Sequence, residues 1–305
     1  MKDAWGRTIE YVRLSLTDAC NFCCPYCRPA EITPQSQHQL LSVDEWMTIL
    51  GAFHQVGVKA VRLTGGEPLL YPHIEELLAR IKQTGWFEDI SMTTNGSLLA
   101  PRAAKLKELG LNRVNISLDS LDSDAFTLCV GKANQLDSVL NGIQSAIDAG
   151  FTSVKINTVL SRHWIDDEVH DLLTYVETWP VIWRFIEYMP FQGDAFHGPT
   201  FDEWKAQLER VSGGILTENH DVYGFGPATY YNLPSGKEIG FIFSMSHSYC
   251  DTCNRVRLTS DGQMRLCLLR DDEADLVSRV RRGLSETELA SHIEWALQRK
   301  QERHD

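Results

Sequence analysis

Tyr11-Val12-Arg13-Leu14-Ser15-Leu16-Thr17, followed at once by Asp18-Ala19-Cys20-Asn21-Phe22-Cys23-Cys24-Pro25-Tyr26-Cys27, is the stretch on which the architecture turns. Its first seven residues alternate in polarity. Successive strand residues point to opposite faces, so Val12, Leu14 and Leu16 share one face while Arg13, Ser15 and Thr17 share the other. The cysteines come directly after the strand, at its C-terminal end. That is where α/β barrels place their chemistry.

Five further stretches repeat the pattern, and strands are expected over residues 60–64, 90–94, 113–119, 153–160 and 181–188. Their polar faces carry Arg62 and Thr64; Ser91, Thr93 and Asn95; Arg113, Asn115, Ser117 and Asp119; Lys155 and Asn157; and Arg184. Between the strands, helical periodicity runs over 43–56, 72–84, 101–109, 137–149 and 166–179, with Gly110 and Gly150 placed as C-caps. Strands alternating with helices indicate a parallel sheet with crossover helices. A fully buried parallel strand is apolar on both faces; here one face is polar, or mostly so, in all six, the sixth being less clean, with Arg184 and Tyr188 on that side. The α/β fold expected is therefore an incomplete (β/α)6 barrel of the TIM type, two units short of closure, with a polar lumen that takes a polar ligand. The competing reading is a set of edge strands with one solvated face. Residues 1–190 would form the barrel and residues 191–305 a C-terminal extension. In that extension, 193–226 is loop-rich with a helix near 201–211, 239–244 reads as a strand, and 275–304 as a charged helical region without a core of its own.

Composition narrows the class. The 305 residues are 43% hydrophobic and 23% charged, which excludes disorder and collagen. No apolar run approaches the roughly 18 residues of a membrane span, and the first residues lack the apolar stretch of a signal peptide. A cytoplasmic protein without membrane attachment is expected. The net charge of −12 speaks against a nucleic-acid surface, though not against a local basic pocket. Six of the eight cysteines fall in two groups, Cys20, Cys24 and Cys27, and Cys250, Cys253 and Cys267. In a reducing compartment such groups read as metal or catalytic sites. Cys129 reads as a small buried hydrophobe.

Each group admits two chemistries. The first, taken as two C-x2-C pairs, could hold zinc, although eight contiguous residues wrap one ion only with strain. Taken as C-x3-C-x2-C it supplies three thiolates to a 4Fe–4S cluster, leaves one iron open, and leaves Cys23 as a spare. The second, with His247 as a fourth ligand, could hold zinc; without it, the group suits a second 4Fe–4S cluster with an open iron. Arg255 and Arg257, on alternating positions beside it, suit an anionic or hydrogen-bonding ligand.

C-x3-C-x2-C with an aromatic residue before its last cysteine resembles the radical S-adenosylmethionine (SAM) enzymes. Thr64-Gly65-Gly66-Glu67-Pro68, after the second strand, is similar to that superfamily's SAM-binding Gly-Gly-Glu motif. Cys250-x2-Cys253-Asn254-Arg255-x-Arg257-Leu258, thirteen residues before Cys267, together with Arg184-Phe185-Ile186-Glu187-Tyr188-Met189-Pro190, resembles the MoaA family, the GTP 3′,8-cyclases of molybdenum cofactor biosynthesis. The resemblance spans nearly the whole chain. It implies two 4Fe–4S clusters, SAM as cofactor and GTP as substrate. It gives catalytic parts to Cys20, Cys24, Cys27, Arg255 and Arg257, and SAM contacts to Tyr26, Gly65, Gly66, Glu67, Ser117 and Met189. Substrate contacts fall to Arg13, Arg62, Thr93, Lys155, Arg184, Arg255 and Arg257. A reductant such as flavodoxin or ferredoxin, cyclic pyranopterin monophosphate synthase as the next enzyme, and a homodimer are further implications. Two departures stand out. Ala60 occupies a position that is commonly lysine in the family. The sequence ends at Gln301-Glu302-Arg303-His304-Asp305, where that family continues to a catalytic Gly-Gly tail, so about one such tail is expected to be missing. A shortened chain, or a relative with another substrate, would each account for this.

Overall fold

The computed structural model describes residues 1–27, 40–190, 196–221, 223–270 and 273–303. The first part of the chain runs β1 (Tyr11–Ser15), α1 (Val43–Gln55), β2 (Ala60–Thr64), α2 (Ile74–Thr84), β3 (Asp89–Thr94), α3 (Ala103–Glu108), β4 (Arg113–Ser117), α4 (Ser123–Val130), α5 (Leu136–Asp148), β5 (Ser153–Val159), α6 (Asp166–Thr178) and β6 (Ile182–Ile186). It continues with α7 (Phe201–Ser212), β7 (Thr217–Asn219), β8 (Thr229–Asn232), β9 (Glu238–Ile242), β10 (Arg255–Leu258), β11 (Gln263–Arg265), β12 (Glu273–Asp275), α8 (Val277–Arg281) and α9 (Glu286–Leu297).

All six expected strands are present, parallel and in chain order. The extension adds two more parallel strands, β9 beside β6 and β10 beside β1, so the parallel sheet counts eight strands rather than six. Antiparallel β8 and β7 continue one end, β11 and β12 the other. Among the described residues β9 and β10 do not pair, so the barrel stays open. The strand at 239–244 was foreseen; β7, β8, β10, β11 and β12 were not, because runs of three or four residues carry too little alternation. Helix α4 was also missed. Residues 193–195 and 222 of the loop-rich stretch, and His304, lie outside the described residues. Among the described residues no helix is long and apolar enough to cross a membrane.

Alternation decides what packs where. Val12, Leu14, Val61, Leu63, Met92, Val114, Ile116, Ile156, Trp183, Phe185, Val256 and Leu258 are all buried. They belong to one continuous core with the apolar sides of the helices. The opposite face lines the lumen. Arg13 stands level with Arg62 on β2 and Arg257 on β10, and Asn157 with Arg184. Tyr11 and Ala60 share that face and register.

The N-terminal end of the lumen has a floor. The connection between β7 and β8 crosses it: Arg113 Nη1 and Lys155 Nζ both donate to the Tyr223 carbonyl, at 2.9 and 2.6 Å. Asn254 Nδ2 donates to the Phe225 carbonyl at 3.2 Å, and the Phe225 ring stacks on Tyr11. Gly224 has φ +90°, and a Cβ there would strike the Arg113 guanidinium, so only glycine fits. Helix α9 closes the outside. It starts with a Ser285–Glu288 capping box, and its Leu289, Ile293, Ala296 and Leu297 are buried in the same core as the inner residues of α1.

Candidate active site

The first cysteine group follows β1, and the loops after β2, β3 and β4 surround it. Gly66 N–H donates to the Thr17 carbonyl and Glu67 N–H to the Ala19 carbonyl, at 2.6 and 2.8 Å. A Cβ on Gly65 would lie 2.4 Å from the Thr17 oxygen, and one on Gly66 2.3 Å from the Ala19 oxygen. The paired glycines thus let two backbones touch, which fixes the approach to Cys20. Glu67 is fully buried and turned toward β3. Its carboxylate accepts from Leu69 N–H, the Thr94 hydroxyl and Asn95 N–H, at 3.0, 2.7 and 2.8 Å. Burial nevertheless raises its pKa. Its carboxylate therefore holds the loop in place.

Asn95 carries the bracing on to the cysteines. Its Nδ2 donates to Asn21 Oδ1 at 2.8 Å and contacts Cys20 Sγ at 3.9 Å. Asn21 in turn donates to Ser97. The Tyr26 hydroxyl donates to the buried Asp119 at 2.5 Å, and Val159 N–H donates to the other Asp119 oxygen at 2.8 Å. Burial pushes Asp119 up to about 6, and desolvation, with the Asp119 charge next, raises Cys24. The cysteine loop is thus tied to β3 through Asn95 and to β4 through Asp119. Neither tie could be read from spacing. Ser117 ends β4, Met189 follows β6, and Thr93 lies on β3 with a buried hydroxyl that has no hydrogen-bond partner among the described residues. Cys129 is buried, as the sequence indicated, and Cys23 is exposed.

Most cations of the lumen meet no carboxylate among the described residues. Arg62 Nε donates to Ser91 at 3.2 Å and its guanidinium lies over the Tyr11 ring. Arg184 donates to the amide oxygens of Asn157 and Asn115, each at 2.6 Å. Lys155 reaches the Tyr223 carbonyl, the Tyr230 hydroxyl and the faces of both rings. Among the described residues, no ion pair to a carboxylate is formed by Arg13, Arg62, Lys155, Arg184, Arg255 or Arg257. Asp119 and Glu187, buried carboxylates just beyond β4 and β6, are taken by Tyr26 and by the N–H groups of Met245 and Ser246. Arg113, by contrast, pairs with Asp89. Burial, with neighbouring cations adding to it, lowers Arg13 to about 9 and Lys155 to about 6; burial lowers Arg184 to about 10. Buried cations cost several kcal/mol unless an anion meets them. The Tyr11 hydroxyl and the Nε of Arg13 and of Arg255 are buried without partners among the described residues. The vacant hydrogen-bonding capacity and the excess positive charge both suit a polyanionic ligand that also offers hydrogen-bond acceptors.

The second cysteine group flanks β10. Arg255 lies over the Tyr249 ring, and Arg257 shares the inward face with Arg13. His247 is exposed and packs on Phe201 at 4.8 Å. Among the described residues no three His, Cys, Asp or Glu side chains converge as a single ion demands. A cluster that takes one cysteine per iron makes no such demand. Both sets offer soft sulfur donors, none of them in a disulfide, which fits iron–sulfur ligation.

Comparison with known proteins agrees with this geometry. The family model described as the radical SAM superfamily matches residues 14–176, and that described as Molybdenum Cofactor Synthesis C matches residues 181–305. A GTP 3′,8-cyclase of Moorella thermoacetica is 39% identical, over 100% of this chain and 95% of the relative. One of Trichodesmium erythraeum is 44% identical, over 97% of this chain and 92% of the relative. GTP 3′,8-cyclase 2 of Pseudomonas aeruginosa is 40% identical, over 99% and 92%. Among solved structures, Streptococcus suis SuiB bound to S-adenosylmethionine superposes with a TM-score of 0.64 at 16% identity, over 89% of this chain and 64% of that one, a likeness of fold. The chain belongs to the radical SAM superfamily and, within it, to the GTP 3′,8-cyclase family.

Proposed function

We propose that the chain is a GTP 3′,8-cyclase acting in molybdenum cofactor biosynthesis, converting GTP to (8S)-3′,8-cyclo-7,8-dihydroguanosine 5′-triphosphate. The observation that carries this reading is the lumen: six inward-facing basic side chains, four of them buried, that meet no carboxylate among the described residues and lie between two cysteine groups. Cys20, Cys24 and Cys27 would hold one 4Fe–4S cluster, and Cys250, Cys253 and Cys267 a second. When bound, the first cluster with SAM supplies one-electron reduction and hydrogen-atom abstraction. The chain's own residues bind, orient and exclude water. Arg13, Arg62, Lys155 and Arg184 would grip the triphosphate, with their donors already held in register by β1, β2, β5 and β6. Arg255 and Arg257, beside the second group, would hold the nucleoside end. Tyr26 in the cysteine loop, with Gly66, Ser117 and Met189 at or just beyond strand ends, would frame SAM, and Thr93 would lie between the two ligands. The floor formed by Tyr223 and Phe225 keeps bulk water from the phosphate end.

A cytoplasmic location, a one-electron donor such as flavodoxin or ferredoxin, and delivery of the product to cyclic pyranopterin monophosphate synthase belong to the same reading. Ala60, on the lumen face in register with Tyr11, removes one cation that the family commonly has. This favours, as a second reading, a close relative that acts on another nucleotide. Anaerobic incubation of the reconstituted protein with SAM, dithionite and GTP tests both. GTP-dependent 5′-deoxyadenosine together with the cyclised nucleotide is expected. Stimulation by a different nucleotide, with GTP inert, would overturn the cyclase assignment.

A further inference from the structure

The two ends of the described chain meet at the second cysteine group, and each brings basic side chains to it. Arg7 is buried, with Nε on Asp3 at 2.6 Å. Its Nη1 donates to the Cys250 carbonyl at 2.9 Å and the Glu302 carbonyl at 2.7 Å, and its Nη2 to the Gln301 carbonyl at 2.7 Å. Arg303 pairs with Asp251, between Cys250 and Cys253, at 3.2 Å. Lys300 is 4% exposed, and the Trp5 indole donates to its carbonyl at 2.9 Å. Its ammonium donates to the carbonyl of Leu266, the residue before Cys267.

Lys300 is unlike the lysines that meet carboxylates at the surface, such as Lys59 and Lys105. It forms no ion pair among the described residues, and its ammonium is held inside the protein on the carbonyl that adjoins Cys267. A buried ammonium needs a counter-charge, and two ionised thiols would supply one. We infer that Arg7, Lys300 and Arg303 form a basic clasp around the second cysteine group, with Lys300 the positioning residue that balances the charge of its thiolates. The inference uses the reading that this group holds an iron–sulfur cluster, and is independent of whether GTP is the substrate. Positive charge beside such a cluster favours its reduced form and raises its potential.

The test compares Lys300→Met, Lys300→Arg and unaltered protein, each reconstituted with iron and sulfide. Iron and sulfide content and the potentials of both clusters, followed by electron paramagnetic resonance, are read without SAM or GTP. Lys300→Met is expected to shift the second cluster to lower potential, or to bind about half the iron, while the first cluster keeps its spectrum. Lys300→Arg is expected to restore both values. Unchanged potentials and full iron in Lys300→Met would overturn the inference, and so would equal losses in both variants, which would mean packing rather than charge. Failure of GTP turnover with these readouts intact would count against the cyclase reading alone.

Discussion

Lys155 shows how a single side chain reports the ligand. Burial and nearby arginines lower it to about 6, so near neutral pH the empty lumen holds it largely uncharged. On the proposed function, a triphosphate bound beside Lys155 would restore the charged form, and binding would then take up a proton. The sign follows: affinity falls as pH rises above about 6, until the raised pKa of the complex is passed. Calorimetry near pH 7.5 in buffers of different ionisation enthalpy is expected to show proton uptake with GTP. Lys155→Met is expected to abolish that uptake and to weaken binding by about 1.5–3 kcal/mol, the value of a charge-assisted hydrogen bond. At Gly66 the constraint is backbone against backbone. Gly66→Ala sets a methyl against the Ala19 carbonyl, and thermal denaturation together with SAM titration is expected to show lost stability and lost SAM binding. Alternation alone placed Arg13, Arg62, Lys155 and Arg184 on one face, because period two is legible in five-residue strands. The roles of Asn95, Asp119 and Glu67 were hidden, since they rest on partners far away in sequence. The Gly65-Gly66 pair, expected to let the backbone approach a ligand, also lets it approach the Thr17–Ala19 backbone.

Among the elements, the long helices and the six central strands were legible because each carries a full period of apolar residues. Helix α4 is short and follows β4 closely, so a single crossover helix was expected where the chain builds two. β10 escaped notice for a different reason. Its Arg-Val-Arg-Leu sequence reads as a motif, and only its pairing with β1 makes it a strand. That pairing sets Arg257 level with Arg13 and brings the second cysteine group to the lumen. The floor between β7 and β8 bears on substrate rather than cofactor. Phe225→Ala removes the ring stacked on Tyr11, and equilibrium binding is expected to show weaker GTP affinity with SAM affinity unchanged. Helix α9 lies far from the chemistry. Ile293→Ala leaves a cavity in its buried face, with an expected loss of about 2–5 kcal/mol in denaturant unfolding and no loss of lumen charge.

At the scale of the molecule, the surface and the lumen differ in sign. The chain carries −12 overall, yet its interior face gathers the arginines and Lys155. Long-range repulsion of an anionic ligand is screened by salt, while contacts inside the lumen are screened much less. Stopped-flow binding is therefore expected to show GTP association accelerating between about 0.05 and 0.5 M salt; slowing would show that the mouth, rather than the net charge, steers arrival. The open sheet also has a consequence for biosynthesis. The outer edge of β1 is complete early, but its partner β10 begins at Arg255. At about 5–20 residues per second, a ribosome needs roughly ten to fifty seconds to make the intervening chain. Throughout that interval the nascent protein carries a bare row of peptide N–H and C=O groups beside its first cysteine loop, a template for pairing with other chains. The second half of the sequence thus acts as the edge guard of the first, and holding chaperones have most to contribute before it emerges.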